Sequence, residues 1–142
     1  MNTILSAVFP RLEKNFPAGF EILRQGERRG LLYVLAEGSV EIVKNDQQIC
    51  IVREKGAVFG ELSILLHSYQ NASVRTLEPC VFHVIEDAER FLEGNPKVAF
   101  QLAQMLGRRL ALLDSHFADL KTKITLMQAQ ATGVNFNREN GP

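Results

Sequence analysis

The chain has 142 residues, which is enough for one domain of ordinary size with its own core. Its 16 basic and 16 acidic side chains cancel, and this neutral balance argues against a nucleic-acid-binding protein, in which basic residues predominate. The sequence has no basic segment typical of a secretory signal and no run of about 18 apolar residues, so we predict a cytoplasmic protein with no membrane partner.

The first residues of the chain carry apolar side chains at helical spacing. Ile4, Val8 and Leu12 fall near one face, which predicts a short amphipathic helix over residues 2–15. The sequence FPAG at residues 16–19 should end this helix, because proline and glycine disfavour its continuation.

Six short segments between residues 20 and 85 have the composition of β-strands. They cover residues 20–24, 31–36, 40–43, 48–52, 72–77 and 81–85. Glycines and an Asn45-Asp46 pair separate them at short intervals, and no helical pattern of ten or more residues interrupts them. Short strands separated by turns indicate an antiparallel sandwich or barrel rather than a parallel α/β sheet.

The residues that most often carry catalysis or bind metals do not cluster in the sequence. His67, His83 and His116 lie on three different predicted elements, and no Ser/His/Asp or Cys/His grouping occurs at a useful spacing. Cys50 and Cys80 both lie in strand-like segments and are predicted to be buried free thiols rather than a metal or redox pair. We therefore expect neither an enzyme nor a metal site.

The periodicity becomes helical after residue 85. Asp87 is predicted to cap a short helix that ends near Gly94. Asn95-Pro96 then predicts the start of a second helix, because a capping side chain precedes a proline at the first helical position. This second helix runs to about residue 132, which is ~50 Å at the usual rise per residue and longer than a small β-domain can cover.

Apolar residues recur along the second half of this long helix at alternating spacings of 3 and 4, as in the a/d seam of a coiled coil. We predict that Leu102, Leu106 and Leu110 pack on the protein's own core. Beyond Phe117 the chain offers no further element for the seam to pack against, so a second copy of the chain is predicted to cover it. The predicted dimerisation residues are Leu110, Leu113, Phe117, Leu120, Ile124 and Met127, and Ala131 continues the same row.

The sequence FGELSILLHSYQNASV at residues 59–74 has the form of a phosphate pocket without its positive charge. A glycine turn that leads into a short helix presents backbone N–H groups suited to an anion. A buried phosphodiester also favours an arginine, which offers a charged, bidentate fork. No arginine occurs between Gly60 and Val74, and Arg75 lies further along, on the opposite face of an extended strand.

An ordered series of motifs resembles the cyclic nucleotide-binding domain, specifically that of the bacterial catabolite-activator and fumarate-nitrate regulator group. The motifs are FPAG at 16–19, RQGE at 24–27, LYVL at 32–35, Gly38, VEIV at 40–43, Gly56, FGEL at 59–62, NP at 95–96 and RRL at 108–110. The resemblance implies a mainly β fold, an eight-stranded jelly-roll β-barrel with flanking helices and no catalysis. The expected domain covers residues 1–132, with the barrel at about 17–85 and helices at 2–15 and 86–132, and a polar tail follows at 133–142.

In that family the segment at 59–74 is the phosphate-binding cassette. The resemblance implies that Glu61 accepts a hydrogen bond from the ribose 2′-hydroxyl; the alternative is an exposed acid that complements the helix dipole. Gln70 stands where the family has the arginine that pairs with the phosphate. Losing one partner of a buried charge pair costs about 2–5 kcal/mol, or roughly 25- to 4,000-fold in affinity. The resemblance also implies that backbone N–H groups around Gly60 and Leu62, and at Asn71 and Ala72, face the cyclic phosphate. The candidate cassette residues are Gly60, Glu61, Leu62, Gln70, Asn71 and Ala72.

Two further departures from the family's pattern affect the expected function. Leu113 and Asp114 replace the Thr-Ser pair with which adenine-reading members contact the base. The chain also ends shortly after the long helix, where the transcription factors carry a helix-turn-helix domain, so no DNA partner is expected. Two functions stay open: a regulatory homodimer with a degenerate cassette that acts through an unidentified protein partner, or a working cyclic AMP or cyclic GMP sensor. No cofactor is required, and any cyclic nucleotide is expected to bind weakly.

Overall fold

The protein is described by a computed structural model over residue 4 and residues 13–133. Eight strands occur in this part of the chain: β1 (Glu13–Phe16), β2 (Glu21–Leu23), β3 (Leu32–Glu37), β4 (Val40–Lys44), β5 (Gln47–Val52), β6 (Val58–Phe59), β7 (Ser73–Thr76) and β8 (Cys80–Ile85). Residues 13–133 also contain helices α1 (Glu61–Leu66), between β6 and β7, α2 (Ala88–Gly94) and α3 (Pro96–Ala131).

The strands form two four-stranded sheets with the orders β1-β8-β3-β6 and β2-β7-β4-β5, and every pairing is antiparallel. Strands distant in sequence are neighbours in each sheet, as in a jelly roll. The predicted fold class, a jelly-roll barrel followed by a long C-terminal helix, is confirmed.

The interior of the barrel is an apolar cluster to which both sheets contribute alternate residues. Phe82 of β8 is fully buried at its centre and makes edge-to-face contacts with Tyr33 and Phe59, with ring centroids 5.9 and 6.2 Å apart. Such tilted aromatic pairs are favoured over face-to-face stacking because ring edges and faces carry opposite partial charge. The buried members of the cluster are Ile22, Leu23, Tyr33, Leu35, Val40, Ala57, Phe59, Val74, Cys80, Phe82 and Val84.

A second buried layer lies on the outer face of the first sheet. Leu32, Val34 and Ile85 alternate along β3 and β8 with members of the interior cluster, so their side chains point away from it, yet they are at most 1% exposed. A sheet buried on both faces needs a covering layer. The buried residues of the two C-terminal helices are Ala88, Phe91, Leu92, Val98 and Leu102.

The N-terminal helix prediction is partly wrong. Residues 13–15, the end of the predicted helix at 2–15, belong to β1 instead. This strand pairs with β8 in the register Glu13↔His83 and Asn15↔Val81. Pairing with a long central strand outweighs local propensity at these positions. Ile4 is helical and 3% exposed, and the rest of residues 2–12 lies outside the described residues.

The β4–β5 hairpin shows one prediction that is confirmed and one that is wrong. Asn45 and Asp46 form its turn with φ angles of 51° and 64°, the left-handed pair that two-residue hairpins favour. Cys50, predicted to be buried, is exposed because β5 is the edge strand of its sheet and presents most of its residues to solvent. Cys80 is a buried free thiol, as predicted.

The two C-terminal helices begin close to their predicted positions. Asp87 precedes α2 but makes no side-chain capping hydrogen bond, and Pro96 is the first residue of α3. The Asn95 side chain does not act on α3 as predicted. Its Nδ2 donates to the Phe91 carbonyl at 2.8 Å and so closes α2. Gly133 ends α3 with a φ of 77°, close to the predicted end.

The chain divides into two compact units, residues 1–102 and residues 103–142. The barrel and the start of α3 belong to the first unit, and the described part of the second is the rest of α3 with its closing turn. Leu102 is buried and Leu106 is half-buried, but Leu110 is 60% exposed, so its predicted packing on the protein's own core is wrong. The six predicted dimerisation residues are between 47% and 67% exposed.

Candidate ligand site

The turn that leads into α1 can be made only with glycine. Gly60 has a φ of 90°, and a Cβ placed on it would lie 2.6 Å from the backbone oxygen of Leu31. Both the left-handed conformation and this contact exclude a side chain. The turn therefore packs directly on the chain that enters β3, and this packing determines where α1 begins.

Glu61, the first residue of α1, is only 7% exposed. The alternative of an exposed acid at the helix start therefore does not apply. Further along, the Ser63 hydroxyl donates to the Ser68 carbonyl at 2.7 Å, and the Ser68 N–H donates to the Ser63 carbonyl at 3.1 Å. These two bonds close the helix, with His67 in the left-handed region at a φ of 50°.

Gln70 is held against the barrel by its own backbone. Its N–H donates to the Glu27 carbonyl, and its carbonyl accepts from the Gly26 N–H, each at 2.8 Å. Its side chain extends beneath the turn before α1, because Nε2 lies 3.7 Å from the position that a Cβ would take on Gly60. The structure thus brings Gly60 and Gln70 together, although ten positions separate them in the sequence.

The side-chain amide of Gln70 has no hydrogen-bond partner among the described residues. The residue is 9% exposed, and no fully buried side-chain nitrogen or oxygen lacks a partner in residue 4 and residues 13–133. Solvent therefore reaches the amide atoms of Gln70, although the residue as a whole is buried.

The other predicted cassette residues lie in the chain beside these two. Leu62 is half-buried in the first turn of α1. Asn71 is exposed and Ala72 half-buried in the short connection from Gln70 to β7. The next residue, Ser73, accepts a hydrogen bond from the Gln25 N–H at 2.9 Å.

The segment at residues 25–27 serves in the sequence analysis only as a family motif, yet it anchors both ends of the connection from Gln70 to β7. Backbone bonds link Gly26 and Glu27 to Gln70, and the Gln25 N–H links to Ser73. The signal that could have suggested this role was the glycine of RQGE, since Gly26 has a φ of 87°. The partner of that turn could not be inferred, because it lies more than forty positions along the chain.

Three basic side chains, those of Arg75, Arg24 and His67, each lie beside a carboxylate. Arg75 lies on the outer face of the second sheet, where its guanidinium is 3.3 Å from Glu41 and 3.6 Å from Glu21. Arg24 Nε is 2.7 Å from a Glu21 oxygen, and this hydrogen bond lowers the pKa of Glu21. His67 Nε2 is 3.5 Å from the carboxylate of Glu89 in α2.

A separate open cleft of about 200 Å³ lies beside α1. Ser63 and Ile64 form one wall of it, and acidic residues at the start of α2 form much of the rest. Its lining residues are Arg28, Gly30, Ser63, Ile64, Glu86, Asp87, Ala88 and Glu89.

The described ranges contain neither a metal site nor a membrane-spanning helix. Within residue 4 and residues 13–133, no group of three or more His, Cys, Asp and Glu side chains is placed to hold a metal ion. In the same ranges, no helix has both the length and the apolar composition that crossing a bilayer requires.

Comparison with known proteins identifies similar chains. A family model described as "Cyclic nucleotide-binding domain" matches residues 13–93. The cAMP-dependent protein kinase regulatory subunit of Schizosaccharomyces pombe is 33% identical over 60 residues, covering 42% of this chain and 15% of that protein. A CRP-like cAMP-activated global transcriptional regulator of Mycobacterium tuberculosis is 29% identical over 112 residues, covering 75% of this chain and 50% of that protein.

The fold also has solved relatives. The crystal structure of the Thermus thermophilus catabolite activator protein superposes with a TM-score of 0.66 at 25% identity, covering 84% of this chain and 57% of that one. The present chain spans half or less of the length of the two curated relatives named above.

Proposed function

The chain belongs to the cyclic nucleotide-binding domain family, and on this premise we propose that it is a non-enzymatic, homodimeric regulatory module with a degenerate phosphate-binding cassette that acts through another protein. The observation that carries the proposal is Gln70, a neutral side chain in the buried position beneath the Gly60 turn. The non-enzymatic part is supported by the named relatives, a regulatory subunit and a transcriptional regulator.

The weakness of the cassette towards phosphate follows from charge. A cyclic phosphate carries one negative charge, and Gln70 offers it only a neutral amide. Arg75 pairs with Glu21 and Glu41 on the outer face of its sheet, so recruiting it would break two ion pairs. A missing partner in a buried charge pair costs about 2–5 kcal/mol, which would turn micromolar affinity into roughly millimolar affinity.

The exposed seam of α3 supports a homodimer. Scattered exposed apolar residues are ordinary, but residues 110–127 carry six of them at alternating heptad spacing. A second copy of the chain offers a matching seam.

Light scattering or sedimentation at tens of micromolar tests the dimer. The wild-type protein should be a dimer, and Leu120→Glu with Ile124→Glu should be a monomer because each change places a charge in the seam. Leu112→Glu with Leu126→Glu is the matched control, since these exposed leucines lie on the same helix outside the seam. A monomeric wild type refutes the dimer, and a dimer that only the control pair disrupts places the interface elsewhere on α3.

The second candidate function, a working cyclic nucleotide sensor, is favoured by the retained turn and acid. Gly60 keeps its left-handed φ of 90°, and Glu61 is buried directly after it. Calorimetric titration with cyclic AMP and cyclic GMP separates the two functions. A dissociation constant above about 100 μM supports the degenerate cassette, whereas low-micromolar binding supports the sensor.

A further inference from the structure

We propose that β5, an edge strand of the second sheet, binds an extended segment of another protein as an added antiparallel strand. The segment carries apolar side chains at alternate positions and an acidic residue at its start. The inference rests on the proposed function only in taking another protein as the partner. It goes beyond that function by naming the surface that binds the partner and the chemistry of the bound segment.

The two sheets have four edge strands, and three of them are protected against pairing with another chain. β1 presents the charged side chains of Glu13 and Lys14 to solvent, while β2 has three residues and β6 only two. Charged side chains and short length are usual means of blocking an exposed edge. The six residues of β5, QQICIV, include no charged side chain and no proline. Among the eight strands of residues 13–133, β5 is therefore the edge that lacks this protection.

The free side of β5 presents both backbone and apolar groups. Among the strands of the described chain, β5 pairs only with β4, so its other side has backbone N–H and C=O groups available to a further strand. Ile49 and Ile51 are 59% and 43% exposed. Ile51 lies opposite Glu41, so both side chains are on the outer face of the sheet, where Glu41 pairs with Arg75. An added strand satisfies the backbone groups and gives Ile51 an apolar neighbour.

A bulge confines the added strand to the second half of β5. In the pairing with β4, Ile49 has no partner residue, although the residues on both sides of it do. A bulge increases the local twist and so hinders a regular partner at that point. From Cys50 to Val52 the register is regular. The added strand therefore pairs along residues 50–52, and the apolar contact is made by Ile51.

The charges around β5 indicate where the acidic residue of the segment lies. Arg53 and Lys55 are exposed directly after the strand, and neither has an ion pair among the described residues. Glu54 offsets one of these two charges, and Lys44 and Asp46 cancel at the other end of β5, so the end after Val52 keeps a positive excess. An antiparallel strand begins beside the end of its neighbour. A carboxylate at the start of the segment therefore meets an opposite charge.

An extended segment of another protein fits this edge better than a second copy of the chain. Pairing of β5 with β5 of another copy would link the proposed α3 dimers to one another. The product would be a tetramer or an open chain of dimers rather than a dimer. A single strand from a different protein completes the edge and leaves the dimer unchanged.

Selection from a phage-displayed library of short random peptides, with the full chain as the target, tests the inference. The enriched peptides should have an acidic residue followed by apolar residues at alternate positions. A synthetic peptide of an enriched sequence should bind with a dissociation constant below about 100 μM. The same peptide with N-methyl groups on alternate backbone nitrogens should bind at least about tenfold more weakly, because its side chains are retained while the hydrogen bonds between strands are lost.

Hydrogen exchange and substitutions locate the bound peptide. It should slow backbone exchange at residues 50–52 at least about fivefold, because an added strand protects these groups. Ile51→Thr should weaken binding at least about fivefold, since it keeps a strand-forming residue and removes the apolar contact. Leu66→Thr is the matched control, because Leu66 is an apolar residue of α1 that is 67% exposed, and it should leave the affinity unchanged. Arg53→Glu should weaken binding at least about tenfold, and Arg53→Lys much less.

Several outcomes overturn the inference. The absence of any enriched peptide does so, as does an enriched peptide whose N-methylated form binds equally well or which leaves exchange at residues 50–52 unchanged. Light scattering gives a further outcome, because a lower molar mass of Ile51→Thr or Arg53→Glu than of the wild type assigns the edge to a second copy of the chain. None of these results changes the outcome of the tests of the α3 dimer and the cassette, so failure here is distinguishable from failure of the proposed function.

Discussion

Replacing Gly60 with alanine measures how strongly the cassette turn is fixed by the chain that enters β3. Two effects contribute. A non-glycine residue in the left-handed region costs roughly 1–2 kcal/mol. The new Cβ would also lie 2.6 Å from the Leu31 backbone oxygen, and a backbone atom cannot rotate away as a side chain can.

The contact can be separated from the strain by a second glycine. Gly26 has a φ of 87°, close to the 90° of Gly60, but a Cβ placed on it meets no atom within 4 Å. Gly26→Ala should therefore cost only the roughly 1–2 kcal/mol of backbone strain. Gly60→Ala should cost about 1–3 kcal/mol more, the usual range for forcing extra volume into a packed site, or roughly 2–5 kcal/mol in all.

Urea unfolding of the wild type and both variants, followed by circular dichroism at 25 °C, gives the two free energies. The expected order of stability is wild type, Gly26→Ala, then Gly60→Ala. Equal losses for the two variants would show that the turn relaxes away from Leu31 without cost. The close packing of α1 on the start of β3 would then not determine the position of Glu61.

Three other predictions concern the barrel. Thr76 is 1% exposed, and its hydroxyl accepts from the Phe20 N–H at 2.8 Å and donates to the Pro17 carbonyl at 2.6 Å. In urea unfolding, Thr76→Val should therefore lower the free energy of unfolding by about 1–3 kcal/mol and Thr76→Ser by much less. Equal losses for the two variants would contradict this. Ellman's reagent should modify one thiol quickly in the native protein and two after unfolding, because Cys50 is exposed and burial raises the pKa of Cys80. Two fast-reacting thiols in the native protein would refute the burial of Cys80. The pKa of Glu21 is lowered from 4.5 mainly by its hydrogen bond from Arg24, so its stabilising contribution is present above pH 4.5 and is lost as the pH falls through the lower pKa of the folded state. Urea midpoints measured at several pH values should therefore show less acid sensitivity in Glu21→Gln than in the wild type. An unchanged pH profile would contradict the pairing.

Much of the barrel could be predicted because its signals are local. Alternating apolar residues indicated six of the eight strands, and the Asn45-Asp46 turn and the start of α3 at Pro96 followed from residue types with strong conformational preferences. The two strands that were missed lack such signals. β1 has the sequence EKNF, with one apolar residue, and β6 has only two residues, so both depend on the strands that pair with them.

The sequence by itself determined the family, the jelly-roll class and the long helix, because ordered motifs and heptad spacing are read directly from neighbouring residues. It also showed that an arginine is absent between Gly60 and Val74. Only the tertiary structure decided that the Gln70 amide lies beneath the Gly60 turn and that the seam remains exposed from Leu110 onwards. These features depend on pairing between segments distant in sequence, such as Gly26 with Gln70, and on which faces remain uncovered after the core has formed.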